Sequence, residues 1–342
     1  MAKWLQQQWQ TTSFWHIVLI PLSWVFGLLV YVRKAFYRLG WLKSTKLPVP
    51  VIIVGNISVG GTGKTPFVIW LAEQLQLSGC QLGIISRGYG GNAKQVTEVN
   101  ADSHPLEVGD EPVLIAKRTH CPIFVGADRV AAGQALLSAY PQCNLLISDD
   151  GLQHYRLQRD VEIALINSND AFGNQQLLPA GPMREKISRL KGVDAIVDSG
   201  ITVKQKDYWP PLYNMQLQGV TFERVDGVVG QQSAGYFKDK ELMAIAGIGK
   251  PERFFKQLST LGLQFEQQAF ADHHAYNVQD LAPFAHKTLL MTEKDAVKCQ
   301  QLKLSEAWYL PVRAEITGPL NPTLIGLILN KLKMNVSINN GY

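Results

Sequence analysis

Residues Val51 to Phe67 read VIIVGNISVGGTGKTPF, and no other run restricts the fold as strongly. A β-branched apolar stretch passes straight into Gly60, Gly61 and Gly63. Lys64 and Thr65 then open a segment with apolar residues at Phe67, Val68, Leu71 and Leu75, the spacing of a helix packed on one side. Strand, glycine turn and helix in this order make a phosphate cradle. Glycines let successive backbone N–H groups curl around phosphate oxygens, and the helix N-terminus adds a partial positive charge. Ser58, Val59, Gly60, Gly61, Thr62, Gly63, Lys64 and Thr65 are therefore the candidate ATP-binding residues. Lys64 is placed to reach the β- and γ-phosphates, and the Thr65 hydroxyl to ligate Mg²⁺. The strict motif starts with glycine; Ser58 stands there instead.

A P-loop needs a carboxylate at the end of a neighbouring strand, and NLLISDD (Asn144 to Asp150) supplies two. Ligands of open α/β sheets gather at the carboxyl ends of strands, and Mg²⁺ prefers oxygen donors. Asp149 and Asp150 are thus metal candidates with Thr65; paired aspartates also form turns, and the order of the two about a metal is open. Around them β-branched runs alternate with helical patterns. Strands are expected at 51–54, 82–85, 122–125, 144–148, 161–166 and 193–197, and helices at 64–77, 112–118 and 127–139. Alternation at 208–230 reads as a hinge or hairpin, and a second βα series follows at 242–247, 251–261, 263–269, 288–291 and 308–312. The expected class is α/β: a P-loop NTPase-type parallel sheet with helices on both faces, a second smaller α/β lobe, and an N-terminal membrane-associating helix. The divisions are 1–46, 47–207, 208–230 and 231–342.

Charge is distributed unevenly. Residues 1–46 hold Lys3, Arg33, Lys34, Arg38, Lys43 and Lys46 and no acidic residue, so against a total of +5 the remainder carries −1. A nucleic-acid binder spreads positive charge over a folded face, so that partner class is excluded. The same segment holds Trp4, Trp9, Trp15, Trp24 and Trp41, five of the eight tryptophans, a residue suited to the membrane–water boundary. Phe14 to Val32 is nearly all apolar and as a helix would extend about 28 Å, enough to span a bilayer. His16, Ser23, Gly27 and Lys34 fall on one stripe of that helix, which instead suits an interfacial or self-docked helix. Both poses leave the catalytic body in the cytosol. The four cysteines (Cys80, Cys121, Cys143, Cys299) are scattered without ligand spacing and read as reduced thiols.

Further segments resemble one family over nearly the whole chain. SRGYGG (86–91), VGDEP (108–112), DDGLQH (149–154), LPAGPMRE (178–185), FADHHAY (270–276) and TEKDAVK (292–298) are similar in order and spacing to motifs of tetraacyldisaccharide 4'-kinases. Met183, where Leu is common, and Lys186, where Pro often follows, are small departures. The resemblance implies transfer of the ATP γ-phosphate to the 4'-hydroxyl of an acylated glucosamine disaccharide 1-phosphate, a lipid A precursor. It places the enzyme at the cytoplasmic face of the inner membrane, without an obligate protein partner.

A sugar hydroxyl must lose its proton as the new P–O bond forms, so a base within reach is useful. From the residues alone Asp110 is equally a helix N-cap before Glu111 and Pro112; the resemblance implies that it is the base, tuned by His273. His274, adjacent, cannot point into the same site. Arg87, Arg129 and Arg184 are candidates for the acceptor's phosphate, since guanidinium forks match its oxygens. Tyr89, His154 and Glu185 are candidates for sugar or acyl-amide contacts. TEKDAVK receives no chemical role.

The competing class is a membrane-recruited P-loop ATPase switch acting on a protein. Such proteins often carry Lys just before the double glycine, where this chain has Val59. Lys64→Ala is expected to abolish phosphoryl transfer. Asp110→Ala should lower kcat far more than it weakens ATP binding; steady-state kinetics with an ATP-binding titration separate the two.

Overall fold

The computed structural model describes residue 9 and residues 14–170, 172–200, 210–304, 306–319 and 321–334. Residues 1–8 and 10–13, which include Lys3 and Trp4 of the N-terminal segment, lie outside the described residues, as do 208–209 at the start of the expected hinge.

Two sheets carry the fold. The larger is built on β1 (Val51–Asn56), buried along its whole length. Continuous β-branched apolar residues suit a strand covered on both faces. From β1 the chain forms α2 (Lys64–Leu77), after the N-terminal helix α1 (Phe14–Arg38). It continues through β2 (Leu82–Ser86), β3 (Thr97–Val99), the short helix α3 (Pro105–Val108) and α4 (Asp110–Thr119). Then come β4 (Ile123–Val125), α5 (Arg129–Ala139), β5 (Leu145–Asp149), β6 (Val161–Ile166), β7 (Ala195–Asp198) and β8 (Leu212–Gln218). On one face Ile52 and Val54 pack with Phe67 and Leu71 of α2 and with Ile115 of α4. On the other, Val51 and Ile53 pack with Val130 and Leu136 of α5. The period-2 alternation of β1 thus feeds two separate cores.

The smaller lobe contains β9 (Thr221–Arg224), β10 (Gln231–Ser233), β11 (Leu242–Ala246), α6 (Pro251–Thr260), β12 (Glu266–Ala269), α7 (Val278–Leu281), β13 (Thr288–Thr292), α8 (Glu293–Cys299) and β14 (Ala307–Leu310). Its six strands run in the order β10-β9-β14-β13-β11-β12. Phe254, Phe255 and Leu258 of α6 fill one face with Phe222, Phe237 and Trp308. Ala296 and Cys299 of α8 close the other.

Two expectations require correction. Of the two readings of 208–230, a hinge or a hairpin, the pairing removes the hairpin: β8 pairs parallel with β7 in the larger sheet, while β9 pairs antiparallel with β10 and β14 in the smaller. Nor does all of 231–342 lie in the smaller lobe. After β14 the chain returns as β15 (Arg313–Thr317), antiparallel to β8, and as α9 (Leu324–Leu332), whose Leu324, Ile328 and Leu329 join the core around β1 and α2. The larger sheet therefore has nine strands, ordered β15-β8-β7-β6-β1-β5-β2-β4-β3. β15 alternates polar and apolar residues, a pattern that suits either sheet, and only pairing decides which. The two crossings lie side by side: a Cβ on Gly219 would sit 2.7 Å from the Pro311 carbonyl oxygen.

Helix α1 docks along one stripe. Ser23 Oγ donates to the Leu177 carbonyl at 2.8 Å and accepts the Ala180 N–H at 2.9 Å. Gly27 allows the approach, since a Cβ there would come within 2.7 Å of Leu177. Away from that stripe the helix exposes Leu22, Val25 and Leu29, while Trp24, Leu28 and Tyr31 are exposed along the groove between helix and body. Among the described residues one helix, Val18–Arg38, has the length and composition to cross a membrane, and 6% of it is buried in the protein.

Ile328, fully buried on the inner face of α9, tests the C-terminal return. Ile328→Ala should cost about 2–5 kcal/mol, the usual penalty of a large-to-alanine core truncation, read by urea unfolding followed through nucleotide-site integrity in the larger lobe.

Candidate active site

Parallel pairing sets Val54 of β1 opposite Asp149 of β5, so the glycine loop and the two aspartates leave the same edge of the sheet. Gly63 sits at φ 78°, a left-handed conformation that a Cβ would strain and that would drive it into Met215 Cε at 2.6 Å. The loop's start is fastened by the 178–185 segment: Val59 N–H donates to Pro182 O at 2.8 Å, and Arg184 N–H to Ile57 O at 2.7 Å. Lys64 Nζ lies 3.6 Å from Asp150 Oδ1. Arg184 Nη1 donates to both Asp150 oxygens at 3.0 Å. Asp150 has a positive φ of 48°, a conformation uncommon outside glycine and frequent at working sites.

Asp149 is 2% exposed. Ser86 Oγ donates to its Oδ2 at 3.1 Å, whereas Oδ1 is buried without a partner. Burial, with the neighbouring carboxylates of Glu111 and Asp150, pushes its pKa up to about 6. An unpaired, electrostatically crowded carboxylate oxygen fits a hard cation. Among the described residues no three His, Cys, Asp or Glu side chains converge to hold a metal alone.

Across the cleft, His273 Nδ1 lies 3.0 Å from each oxygen of Asp110. Asp110 opens α4 but is not its N-cap, which is Gly109; its Oδ1 also accepts the Glu111 N–H at 2.8 Å. Burial alone would raise the Asp110 pKa, but the His273 hydrogen bond and the Lys294 charge outweigh it and bring it down to about 2. The hydrogen bond with Asp110 raises that of His273. His273, like Asp150, has a positive φ (57°). Tyr89 meets the His273 ring edge-on at 5.3 Å. His274 turns away, bonding Asp280 at 3.0 Å and stacking on Phe270.

The remaining candidates divide into two groups. Arg129 is buried, donates to Gly126 O at 3.0 Å and leaves its Nε unpartnered. Burial lowers its pKa, against the pull of Asp149 and Asp150, and Arg87 is close enough to add repulsion. His154 shares this neighbourhood: burial, then Arg129, takes its pKa down to about 4, so it is neutral at physiological pH. Glu185 is different. It is buried, accepting from Gln153 at 2.9 Å and Tyr155 at 2.6 Å, and it faces the groove under α1 with Lys34 and Arg189. Lys34 lies over the Tyr155 ring at 5.8 Å.

Three residues at the site escaped the sequence reading: Glu111, Lys294 and Arg253. Glu111 pairs with Lys294 and senses Lys64; burial would raise its pKa, yet Lys294 and then Lys64 hold it down. Arg253 of α6 donates to Gly61 O at 3.3 Å. Lys294 lies in TEKDAVK and Glu111 in VGDEP, whose charges look like ordinary helix starts until the second lobe is in place; Arg253 lies in neither motif.

The family model for Tetraacyldisaccharide-1-P 4'-kinase matches residues 15–332. The chain belongs to that family. A tetraacyldisaccharide 4'-kinase of Methylobacillus flagellatus is 47% identical over 98% of this chain and 98% of its own length, and one of Dechloromonas aromatica 47% identical over 97% and 98%. A crystal structure of the family member from Aquifex aeolicus, in complex with ATP, is 31% identical, covers 93% of this chain and 100% of its own, and superposes with a TM-score of 0.80. Kinase motifs and α/β architecture thus agree along the chain, and the ATPase-switch alternative is not favoured.

The Asp110–His273 contact has a pH signature. Because the Asp110 pKa falls on folding, its contribution is complete above the unfolded value of 3.8 and is lost as pH drops through about 2. Because that of His273 rises, its contribution is complete below 6.5 and fades as pH climbs through the raised folded value. A double-mutant cycle with Asp110→Asn and His273→Ala, followed by unfolding, should give a coupling energy that is flat from about pH 4 to 6.5 and smaller on either side.

Proposed function

We propose that the protein transfers the γ-phosphoryl group of ATP to the 4'-hydroxyl of a tetraacylated glucosamine disaccharide 1-phosphate, giving the 4'-phosphorylated lipid A precursor. The observation that carries this reading is the Asp110–His273 pair, assembled from two lobes, with neighbouring Glu111 in electrostatic reach of Lys64. In this mechanism Lys64 and the amides from Gly60 to Thr65 hold the triphosphate. The acceptor oxygen attacks the γ-phosphorus as the bond to the β–γ bridging oxygen breaks, and that oxygen keeps the electron pair on departing ADP. Asp110, ionised at neutral pH, takes the hydroxyl proton; His273 fixes the carboxylate's orientation through its hydrogen bond. With a carboxylate of such low pKa, proton transfer belongs late, after P–O bond formation has acidified the hydroxyl. Thr65 and Asp149 would hold Mg²⁺, with Asp150 behind them; when bound, the ion neutralises phosphate oxygens.

Arg87, Arg129 and Arg184 are assigned to acceptor and nucleotide phosphates, with Tyr89 and neutral His154 contacting the sugar. Glu185 orders the groove floor through Gln153 and Tyr155. The acceptor is amphiphilic, and α1 supplies a matching surface: its docked stripe holds the catalytic body while Trp24, Leu28 and Tyr31 stay exposed along the groove beside it. We place α1 in the membrane interface on the cytoplasmic side, not across the bilayer, because the Ser23 and Gly27 contacts keep one face against the protein. Interfacial Lys and Arg contribute roughly 1 kcal/mol each with anionic lipid.

Incubation with ATP, Mg²⁺ and the disaccharide lipid should add one phosphoryl group to the lipid by mass; ATP hydrolysis without a modified lipid would overturn the reading. Leu28→Glu should reduce sedimentation with anionic vesicles several-fold while leaving the unfolding midpoint nearly unchanged, since Leu28 is exposed.

A further inference from the structure

The lobes meet through a row of polar contacts that the chemistry described so far does not explain. Glu293 and Lys294 are consecutive residues at the start of α8, in the smaller lobe, and both reach α4 of the larger. Glu293 accepts from Arg118 Nη1 at 2.8 Å, and Lys294 pairs with Glu111. Glu293 also takes the backbone N–H of Val312, in the crossing between lobes. The start of α8 is itself anchored: Thr292 caps it, and buried Asp295 accepts from Gly247 N–H, Tyr276 and Thr292, with Lys298 at 2.8 Å. Gly247 carries the result onward, because its carbonyl accepts the His273 N–H at 3.1 Å. The chain of contacts thus runs from Glu111, adjacent to Asp110, through α8 and back to His273.

We propose that α8 is a clasp between the lobes and that Lys294 is a positioning residue for phosphoryl transfer, holding Glu111 so that the first turn of α4 presents Asp110 to His273. This rests on the kinase reading above. Two effects make Lys294 matter. Two adjacent carboxylates, Asp110 and Glu111, need a cation between them and an incoming polyanion. Glu111 also lies within electrostatic reach of Lys64, and without Lys294 it would draw the ammonium group away from the phosphates. Misplacement of a reacting group by about 1 Å can cost on the order of 100-fold in rate.

Lys294→Met should therefore lower kcat about 10–100-fold while the lipid KM stays within about threefold, a range set by uniform binding being untouched. Lys294→Arg should restore most of kcat. The second pair provides an independent arm, since Arg118 and Glu293 lie outside the reacting groups. Arg118→Glu and Glu293→Arg should each lower kcat, and the double swap should recover it. If Lys294→Met fails to fold, the swap alone decides. Wild-type protein in the same assay must phosphorylate the lipid; if it does not, the kinase reading fails and not the clasp. Unchanged kcat in folded Lys294→Met, a loss confined to KM, or a double swap no better than its single variants would overturn the proposal.

Discussion

The parallel pairing of β1 with β5 is the constraint on which the site depends. It brings the glycine loop and Asp149 out of the same edge, one strand apart, with both backbones locked in the middle of a sheet covered on two faces. Every nearby charge then answers to that placement. Asp149, buried with one oxygen unpaired, carries a raised pKa; Asp150, twisted into a left-handed conformation, collects Lys64 and Arg184. The 178–185 segment pins the front of the loop through backbone bonds, so Arg184 arrives as part of the same zipper that shapes the cradle.

That edge is half of an active site. Asp110, the proposed base, lies on α4 of the larger lobe, its partner His273 on a loop of the smaller, and the chain crosses between lobes twice at adjacent positions. Adjacent crossings resist twisting and leave opening as the easy motion, so the lobes' relative position must be set by contacts on the cleft side. Partly buried ion pairs such as Glu111–Lys294 contribute little net stability, because desolvation offsets attraction, but they fix geometry. Their location around Asp110 and His273 suits that role.

Helix α1 shows the same division between docking and display. Its narrow stripe contacts the loop after Leu177, and the groove between them joins apolar helix residues to Lys34, Glu185 and Arg189. A surface of that mixed character matches a substrate with acyl chains at one end and phosphorylated sugar at the other.

Much of the architecture was legible because local pattern and burial coincide there. The strand, glycine and helix order of 51–77, the aspartates closing β5 and the βα alternation each follow from residue type within a short window, and order and spacing of the motifs carried the family. Sequence periodicity failed where the deciding partner is remote. Leu212–Gln218 and Thr221–Arg224 alternate like a hairpin yet belong to different sheets, and β15 with α9 returns to a core formed some 250 residues earlier. Nor does any local signal show that Lys294 meets Glu111, or which of two adjacent histidines faces Asp110. By itself, then, the sequence determined the strand–glycine–helix order of 51–77, the fold class and the apolar leading helix with its basic end, since these arise from backbone conformation and hydrophobic spacing. Only the tertiary structure decided strand membership and the cross-lobe pairings, because hydrogen-bond register and the meeting of charges across a cleft depend on groups that the chain brings together only when it closes.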